Sequence, residues 1–517
     1  MNYAKSILLL FALAGAQLCH AEDRPNVILI YADDMGIGML GCYGQKLVKT
    51  PNIDQLATEG MKFNNYYGGV LCAPARWTLL TGMHDGRKGG WGQTQPGLLM
   101  RMEREGVTEP EYTRRFDEYI NTRSVPIPDN EVFLAQVAQQ AGYKTAQFGK
   151  LDVGFLTNHQ RVTRFGWDHY VGYFSHSRCH GFYPPYLWRD GEKFELEGND
   201  RIDCGRMSEK GDEPVGSGGQ TYSQNVFIEE ILDYIRGHAN SVAQDKQTKP
   251  FFLYHPTQLP HGPVAIPELH PDYANDDRLS LAEKKYASMV RMLDDHVGLI
   301  MQELKELGMD EDTMVVFTSD NGHELYYGPK KTFPKTLPNG EPANLTDKKW
   351  RTSDCGDVFD GAGGRAGLKR AAFQGGMQCP LIARWPNKIA SGTETDHFSA
   401  HYDFLATLAD LFNTPAPKGK DSISYLPTLL AQPQTQQHEY IVINNGFDRM
   451  GRTALIGRDG WKLIEIDRKK NDFQLYNVLE DNEERFNLAD QYPERVASLK
   501  AILMDQLDSD RPDFSTD

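Results

Sequence analysis

Little in this 517-residue chain suits a membrane, a nucleic acid or a disulfide scaffold. No apolar run approaches the roughly 20 residues of a membrane-spanning helix; the nearest is Ile7 to Ala16, so no stable membrane insertion is expected. Positive charge is short, with 55 Lys and Arg against 71 Asp and Glu, a net charge of −16. That balance argues against a general nucleic-acid binder, which needs clustered cations to neutralise phosphates. Seven cysteines are too few to hold a chain of this length together. No internal repeat is seen. What remains is a globular composition, 40% hydrophobic, long enough for a large core and more than one structural unit.

The first 21 residues read as a secretory signal: Lys5, the apolar stretch, then Cys19-His20-Ala21 before Glu22 and Asp23. Ala16-Gln17-Leu18 lacks the small residue expected just before a lipidated cysteine, so a soluble secreted or periplasmic protein is expected. Asn26 to Tyr31 (NVILIY) is an apolar, β-branched run ending in Ala32-Asp33-Asp34, the pattern of a buried parallel strand that delivers polar residues at its carboxyl end. Pro250 to His255 (PFFLYH) and Thr313 to Thr318 (TMVVFT) repeat it. Helical periodicity lies between them, over Asn130 to Ala141 and Leu281 to Leu307. This alternation predicts an α/β fold, a large mostly parallel sheet sandwiched by helices, over residues 22–413. Residues 330–367 interrupt it with a long stretch rich in Pro, Gly and charge. From 414 to 517, linker-like Pro415-Ala416-Pro417 and Gln432-Pro433-Gln434 precede strand patterns at Tyr440 to Asn444, Thr453 to Gly457 and Trp461 to Ile466. A helix from Pro493 follows, predicting a smaller α+β subdomain with an antiparallel sheet.

The segment VLCAPARWTLLTG around Cys72 carries the most chemistry. Pro74 fits the first turn of a helix, where N–H groups have no intrahelical acceptor. Cys72 then stands at a helix N-terminus, a place that favours an anion. The pentapeptide Cys72-Ala73-Pro74-Ala75-Arg76, followed by Thr81-Gly82, resembles the signature of the type I sulfatases, and the LYNVLEDNEERFNLAD segment resembles their C-terminal signature. The resemblance implies an alkaline phosphatase-like fold. It also implies that a maturation enzyme oxidises Cys72 to formylglycine, whose hydrated diol attacks sulfur while Arg76 holds the modified side chain. Cys42, Cys179, Cys204, Cys355 and Cys379 would then remain after the signal, so at least one stays unpaired; Cys179 with Cys204 and Cys355 with Cys379 are plausible pairs among several.

Asp33 and Asp34 at one strand end, with Asp320 and Asn321 at another, make an all-oxygen set that suits a hard divalent cation, Ca²⁺ over Mg²⁺ because most ligands are protein atoms. The resemblance places both pairs around Cys72, whose modified oxygen would complete the shell. Lys150 in AQFGKLDVG and Lys369 in GRAGLKRAAFQGG are similar to the family's two lysines, and His261 in QLPHGP to its P-H-x-P histidine, implying sulfate binding and protonation of the leaving oxygen. His323, after Asp-Asn-Gly, either assists that proton transfer or caps a turn. Three departures stand out. Asp152 replaces the family histidine that helps expel sulfate, and could act there as a carboxylate base. Gln374 and Gln378 replace a Glu and an Arg. Arg370 follows Lys369 where glycine is common and could face substrate. Trp91, Arg178 and His180, in loops that mix rings with cations, are candidate contacts for a sulfated sugar. Together these imply a carbohydrate sulfatase on a sulfated oligo- or polysaccharide. A marine galactan such as carrageenan is favoured, with glycosaminoglycan or mucin as other substrates; the alternatives are a phosphoester or phosphonate hydrolase and a catalytically silent glycan-binding protein.

Overall fold

The computed structural model describes residues 24–87, 97–123, 127–153, 156–200, 213–244, 249–328, 356–444 and 453–509. The expected signal, Trp91 and most of the irregular stretch after 330 lie outside them. Every residue of the Asn26–Ala32 strand is buried, as its unbroken apolar run requires. It pairs in parallel with Phe251–Pro256 on one side (Ile28 opposite Leu253) and Thr313–Ser319 on the other (Ile28 opposite Val315). These are central strands of a ten-stranded sheet. Lys144–Lys150 and His169–Tyr173 extend the parallel run, and the antiparallel strands Tyr186–Arg189 and Glu192–Glu195 close that edge. On the far side Leu381–Arg384 runs antiparallel to both Thr313–Ser319 and Met61–Phe63, with Thr393–Thr395 outermost.

Alternate residues of the central strand reach opposite faces. Ile28 and Ile30 pack with Ile231 of helix Ser223–Ala243 and with Leu293, Val297 and Ile300 of helix Leu281–Glu306. Val27, Leu29 and Tyr31 pack with Leu134 and Val137 of helix Leu134–Gln140 and with Leu405 and Leu408 of helix Asp403–Leu411. Helices therefore cover both faces, and each buried aliphatic side chain contributes about 1.5–3 kcal/mol. The helix expected from Asn130 begins only at Leu134, because the Gln136 side chain turns back to accept from the backbone N–H of Phe133 (3.0 Å) and caps it there. Helix Leu281–Glu306 starts where Ser280 and Glu283 form a capping box.

The C-terminal strands form a separate antiparallel sheet of Tyr440–Asn444, Thr453–Gly457, Trp461–Asp467 and Asp472–Asn477. The fourth strand was not foreseen, since Asp472, Gln474 and Asn477 dilute its pattern; its Phe473 and Leu475 nonetheless pack with Leu499 and Leu503 of helix Pro493–Asp508. The other face of this sheet packs on Ala371, Phe373 and Met377 beside the main sheet. Neither of the two plausible disulfide pairs is formed: Cys179 and Cys379 are free and buried, and Cys204 and Cys355 lie outside the described residues. Among the described residues no helix is long and apolar enough to cross a membrane.

Candidate active site

Neighbouring strands deliver the site at their carboxyl ends, where open α/β folds bind ligands. Lys150 ends its strand, Asp33 and Asp34 follow Ala32, Asp320 and Asn321 follow Ser319, and His261 lies five residues past Pro256. Asp34 adopts a left-handed φ of 62°, which aspartate tolerates better than most side chains. Cys72 opens helix Cys72–Thr81 from an extended Leu71, Pro74 sits in the first turn, and Gly82 ends the helix with φ 68°.

These side chains converge. Ligand atoms of Asp33, Asp34, Cys72 and His261 all lie within 4.8 Å of one another, and Cys72 Sγ is 3.5 Å from Asp34 Oδ1. Sγ here stands in for the oxygen that a formylglycine at this position would carry. Lys369 Nζ reaches Asp34 Oδ2 at 2.6 Å and His261 Nε2 at 3.1 Å, and Lys150 Nζ touches Asp33 Oδ2. Arg76 donates to Asp320 Oδ2 (3.1 Å), lies 3.8 Å from Asp33 Oδ1 and packs over the ring of Tyr31. Three buried carboxylates thus meet three buried cations.

Burial alone would raise Asp33 and Asp34, but Lys150 beside the first and Lys369 beside the second, each with His261, outweigh it and hold both well below the ordinary carboxylate range. Asp320 goes the other way, raised by burial and by the charge of Asp33 against the pull of Arg76. Burial and the same aspartates push the Cys72 thiol well up, so an unmodified Cys72 is a protonated, poor nucleophile. His261 is pushed down to about 3 by burial and Lys369, against the pull of Asp34 and Asp33.

The donor set fits a hard cation. Both carboxylate oxygens of Asp33 are buried, Oδ2 against the Lys150 ammonium and Oδ1 3.8 Å from the Arg76 guanidinium. Asn321 donates through Nδ2 to Asp34 Oδ1 (2.7 Å), leaving its Oδ1 buried and unpartnered beside the carboxylates. Three carboxylates and an amide oxygen, all from protein, suit a hard divalent cation.

The other candidates divide. His180 joins the site: its ring stacks on His261 at 4.2 Å and 4°. Asp152 is buried near Lys150 in sequence and carries His176, whose Nδ1 lies 3.1 Å from Asp152 Oδ2. His323 Nε2 bonds the Tyr327 hydroxyl (2.9 Å), which donates to Asp357, so its imidazole belongs to a buried loop network. Arg178 is not a surface cation for substrate. It lies over the ring of Tyr112 at 4.1 Å and donates to the Tyr186 hydroxyl (2.8 Å), because the aromatic run from Tyr183 to Trp188 packs inward; Trp188 stacks on Phe174 at 4.6 Å. Arg370 is exposed beside Lys369 with φ 73°, the conformation that makes glycine common there. Gln378 accepts from Arg365 (2.5 Å) and Gln374 donates to Tyr67 (3.1 Å), so both glutamines are held by loop partners.

Sequence reasoning missed Tyr326, whose hydroxyl donates to Asp34 Oδ2 and whose ring lies 4.9 Å from His261. A separate open cavity of about 1000 Å³ is lined by Glu109, Glu195, Glu197 and Asp200 with one lysine, Lys193, a charge balance that repels a sulfate.

A model of the sulfatase family matches residues 25–414, and one for the C-terminal region of N-sulphoglucosamine sulphohydrolase matches 367–512. The chain is 28% identical to an N-acetylgalactosamine-6-O-sulfatase of Bacteroides thetaiotaomicron, over 93% of each chain. A solved Bacteroides thetaiotaomicron protein designated 6S-sulf, reported with the metabolism of multiple glycosaminoglycans, superposes with a TM-score of 0.67 at 25% identity, over 94% of this chain and 99% of that one. A protein solved with a neocarrahexaose shares the fold at TM-score 0.65 and 20% identity, over 95% of each chain.

Proposed function

The chain belongs to the sulfatase family of sulfuric ester hydrolases, and from that premise we propose that it is an exported carbohydrate sulfatase whose reacting centre is residue 72. The observation that carries this reading is the convergence of Cys72, three carboxylates, Lys150, Lys369 and His261 at the ends of adjacent strands. Oxidised to formylglycine by a maturation enzyme and hydrated, residue 72 would supply the hydroxyl that attacks sulfur with cleavage of the S–O bond. Asp33, Asp34, Asp320 and Asn321 would hold a calcium ion, which supplies Lewis acidity toward a sulfate oxygen.

The protein's own side chains do the rest. Lys150 and Lys369 are buried cations already fixed on carboxylates, so they meet the sulfate without reorganising, the condition under which charge stabilisation is largest. Arg76, pinned between Asp320 and the Tyr31 ring, fixes the helix that carries residue 72. His261 donates its Nδ1 proton to the Gly262 carbonyl (2.5 Å), which leaves Nε2 facing Lys369. Nε2 relays a proton from the Lys369 ammonium, 3.1 Å away, to the departing sugar oxygen. Tyr326 orients Asp34. Export after Ala21 would place the enzyme in the periplasm or outside the cell, where polymeric glycans are met.

For the substrate, the match over nearly the full length of an N-acetylgalactosamine-6-O-sulfatase moves the favoured sugar from a marine galactan to a 6-O-sulfated N-acetylgalactosamine unit of a glycosaminoglycan or mucin. The test is release of inorganic sulfate by protein matured in its native host. Oligosaccharides bearing 6-O-sulfated N-acetylgalactosamine, carrageenan oligosaccharides and the matching phosphate ester are compared. Sulfate release from the first is expected. Faster hydrolysis of the phosphate ester would move the chain to phosphoester chemistry, and binding without turnover of any sulfated sugar would support a silent glycan-binding protein.

A further inference from the structure

Where the C-terminal sheet meets the main one, a cavity of about 460 Å³ lies among Asn64, Asn65 and Arg365 of the main unit and Arg458 and Asn482 of the C-terminal one. It shares no side chain with the catalytic centre, and its size is within the roughly 300–1,000 Å³ of small-molecule sites. Arg365 is a half-buried cation in its wall, with Nε donating to Gln378 Oε1 (2.5 Å) and Nη1 to the Gly363 carbonyl (3.0 Å). Both partners are neutral. Among the described residues no carboxylate pairs with this guanidinium and its Nη2 has no hydrogen-bond partner, whereas Arg76, Lys150, Lys369 and Lys462 each rest on a carboxylate. Burial lowers the pKa of Arg365, outweighing the opposite effects of Tyr67, Tyr43 and Asp360, but a guanidinium stays charged. A desolvated cation without a counter-charge calls for an anion. The one carboxylate of the wall, Asp396, accepts from Asn64 Nδ2 (2.9 Å), and its backbone carbonyl accepts from Asn65 Nδ2 (3.2 Å). Both asparagines keep their amide oxygens without a partner among the described residues. Tyr67 and Phe398, packed edge-on at 5.8 Å, add ring surface.

We infer that this cavity is a second, non-catalytic binding site for an acidic sugar unit, whose carboxylate or sulfate meets the Arg365 guanidinium. The inference rests on the sulfatase reading only in taking the ligand to be a unit of the same glycan. Arg365 is already fixed by two hydrogen bonds, so an anion gains a planar, charged donor at little cost in side-chain ordering. The amides of Asn64, Asn65 and Asn482 can both donate and accept, as sugar hydroxyls do, and the rings suit a sugar's C–H face. Arg458, exposed and bonded to Gln437 (2.8 Å), adds a second cation. A chain with a net charge of −16 repels an acidic polymer except where cations gather, and two arginines against one aspartate make this such a place. The cavity also neighbours the catalytic centre, since two residues past Tyr67 the Gly69 N–H donates to the Asp320 carbonyl (3.0 Å). A glycan held here raises the local concentration of its other sulfate esters at residue 72.

The inference is tested by titration calorimetry of the full chain carrying Cys72→Ala, which leaves sulfate esters intact, with carboxylated, sulfated and neutral tetrasaccharides of one backbone. Adding Arg365→Gln should weaken an acidic tetrasaccharide by about 10–100-fold, the usual worth of a hydrogen bond to a charged group, and leave the neutral one unchanged. Arg458→Gln, at an exposed position where folding is not at stake, should weaken the same ligand by a smaller factor. A loss confined to the carboxylated ligand makes the bound unit a uronic acid, and one confined to the sulfated ligand makes it a sugar sulfate; either supports the site. In mature protein both substitutions should raise KM for a sulfated polysaccharide and leave turnover of a small aryl sulfate as it was. Unchanged affinity for every acidic tetrasaccharide in both variants, or equal binding of acidic and neutral ligands by the parent chain, overturns the inference. So does a loss of aryl sulfate turnover in step with the loss of binding, which would assign Arg365 to the fold. Absence of sulfate release by the mature wild type instead overturns the sulfatase reading and leaves the calorimetric comparison standing.

Discussion

Replacing Lys150 by methionine removes one of the three cations that balance the buried carboxylates while nearly keeping its volume. Lys150 and Asp33 are both fully buried, with the Lys150 ammonium touching Asp33 Oδ2. Arg76, 3.8 Å away and already bonded to Asp320, is poorly placed to replace it. Breaking a buried ion pair at one end costs about 3–5 kcal/mol, because the remaining charge stays desolvated. For a cooperative unit of roughly 400 residues the unfolding entropy is about 0.8 kcal/mol/K, so Lys150→Met should melt ~4–6 °C below wild type in a chelating buffer. If the oxygens around Asp33 form a cation site, calcium at 100 times its dissociation constant adds ~2.7 kcal/mol, or about 3 °C, to a protein that binds it only when folded. The deficit of the variant should shrink, since the ion supplies the lost positive charge. Scanning calorimetry of both proteins, with chelator and with calcium, reads all four values. Equal melting temperatures in chelator, or no calcium response in either protein, would refute the charge balance described for the site.

His261→Gln should slow hydrolysis of a sugar sulfate by about 10²–10⁴-fold, and an aryl sulfate far less, because a phenoxide leaves without a proton; equal losses on the two would remove His261 from the acid role. Lys462→Met strips the cation from buried Glu484, which also accepts from the Gln374 backbone at 2.6 Å, and should cost about 3–5 kcal/mol by denaturant unfolding; Lys462→Met/Glu484→Gln should cost less than the two single changes summed. His438 bonds Asp403 at 2.7 Å. Burial pushes its pKa down, but the Asp403 carboxylate outweighs it and holds the folded value above 6.5. That contribution is fully present below the unfolded pKa near 6.5 and lost as pH rises through the folded one. The melting-temperature gap between wild type and His438→Gln should therefore be wider at pH 5.5 than at pH 8.5; a gap independent of pH would rule it out.

The parts of the fold that could be read in advance were those whose signal is local. Asn26–Ala32 is a buried strand because seven consecutive residues are apolar enough to lack an exposed face, and the Cys72 helix starts where Pro74 allows it. The Asp33, Asp34, Asp320 and Asn321 cluster was legible for the same reason, since parallel strands place their carboxyl ends together. Contacts made by loops were not. Arg178 looked like a surface cation, yet Tyr112, 66 residues earlier in the chain, supplies the ring that buries it. Asp152 looked like a lost histidine until the fold brought His176 to it from 24 residues away. Tyr326 carries no motif, and only the turn after Asn321 brings its hydroxyl to Asp34. The strand Asp472–Asn477 escaped notice because polar residues alternate on a short edge strand.

The central claim concerns residue 72, and trypsin releases it in the peptide from Phe63 to Arg76. Mass spectrometry of that peptide, from active protein purified out of its native host, should find the thiol of Cys72 replaced by the formylglycine aldehyde or its hydrate. An unmodified thiol in protein that hydrolyses sulfate esters would contradict it.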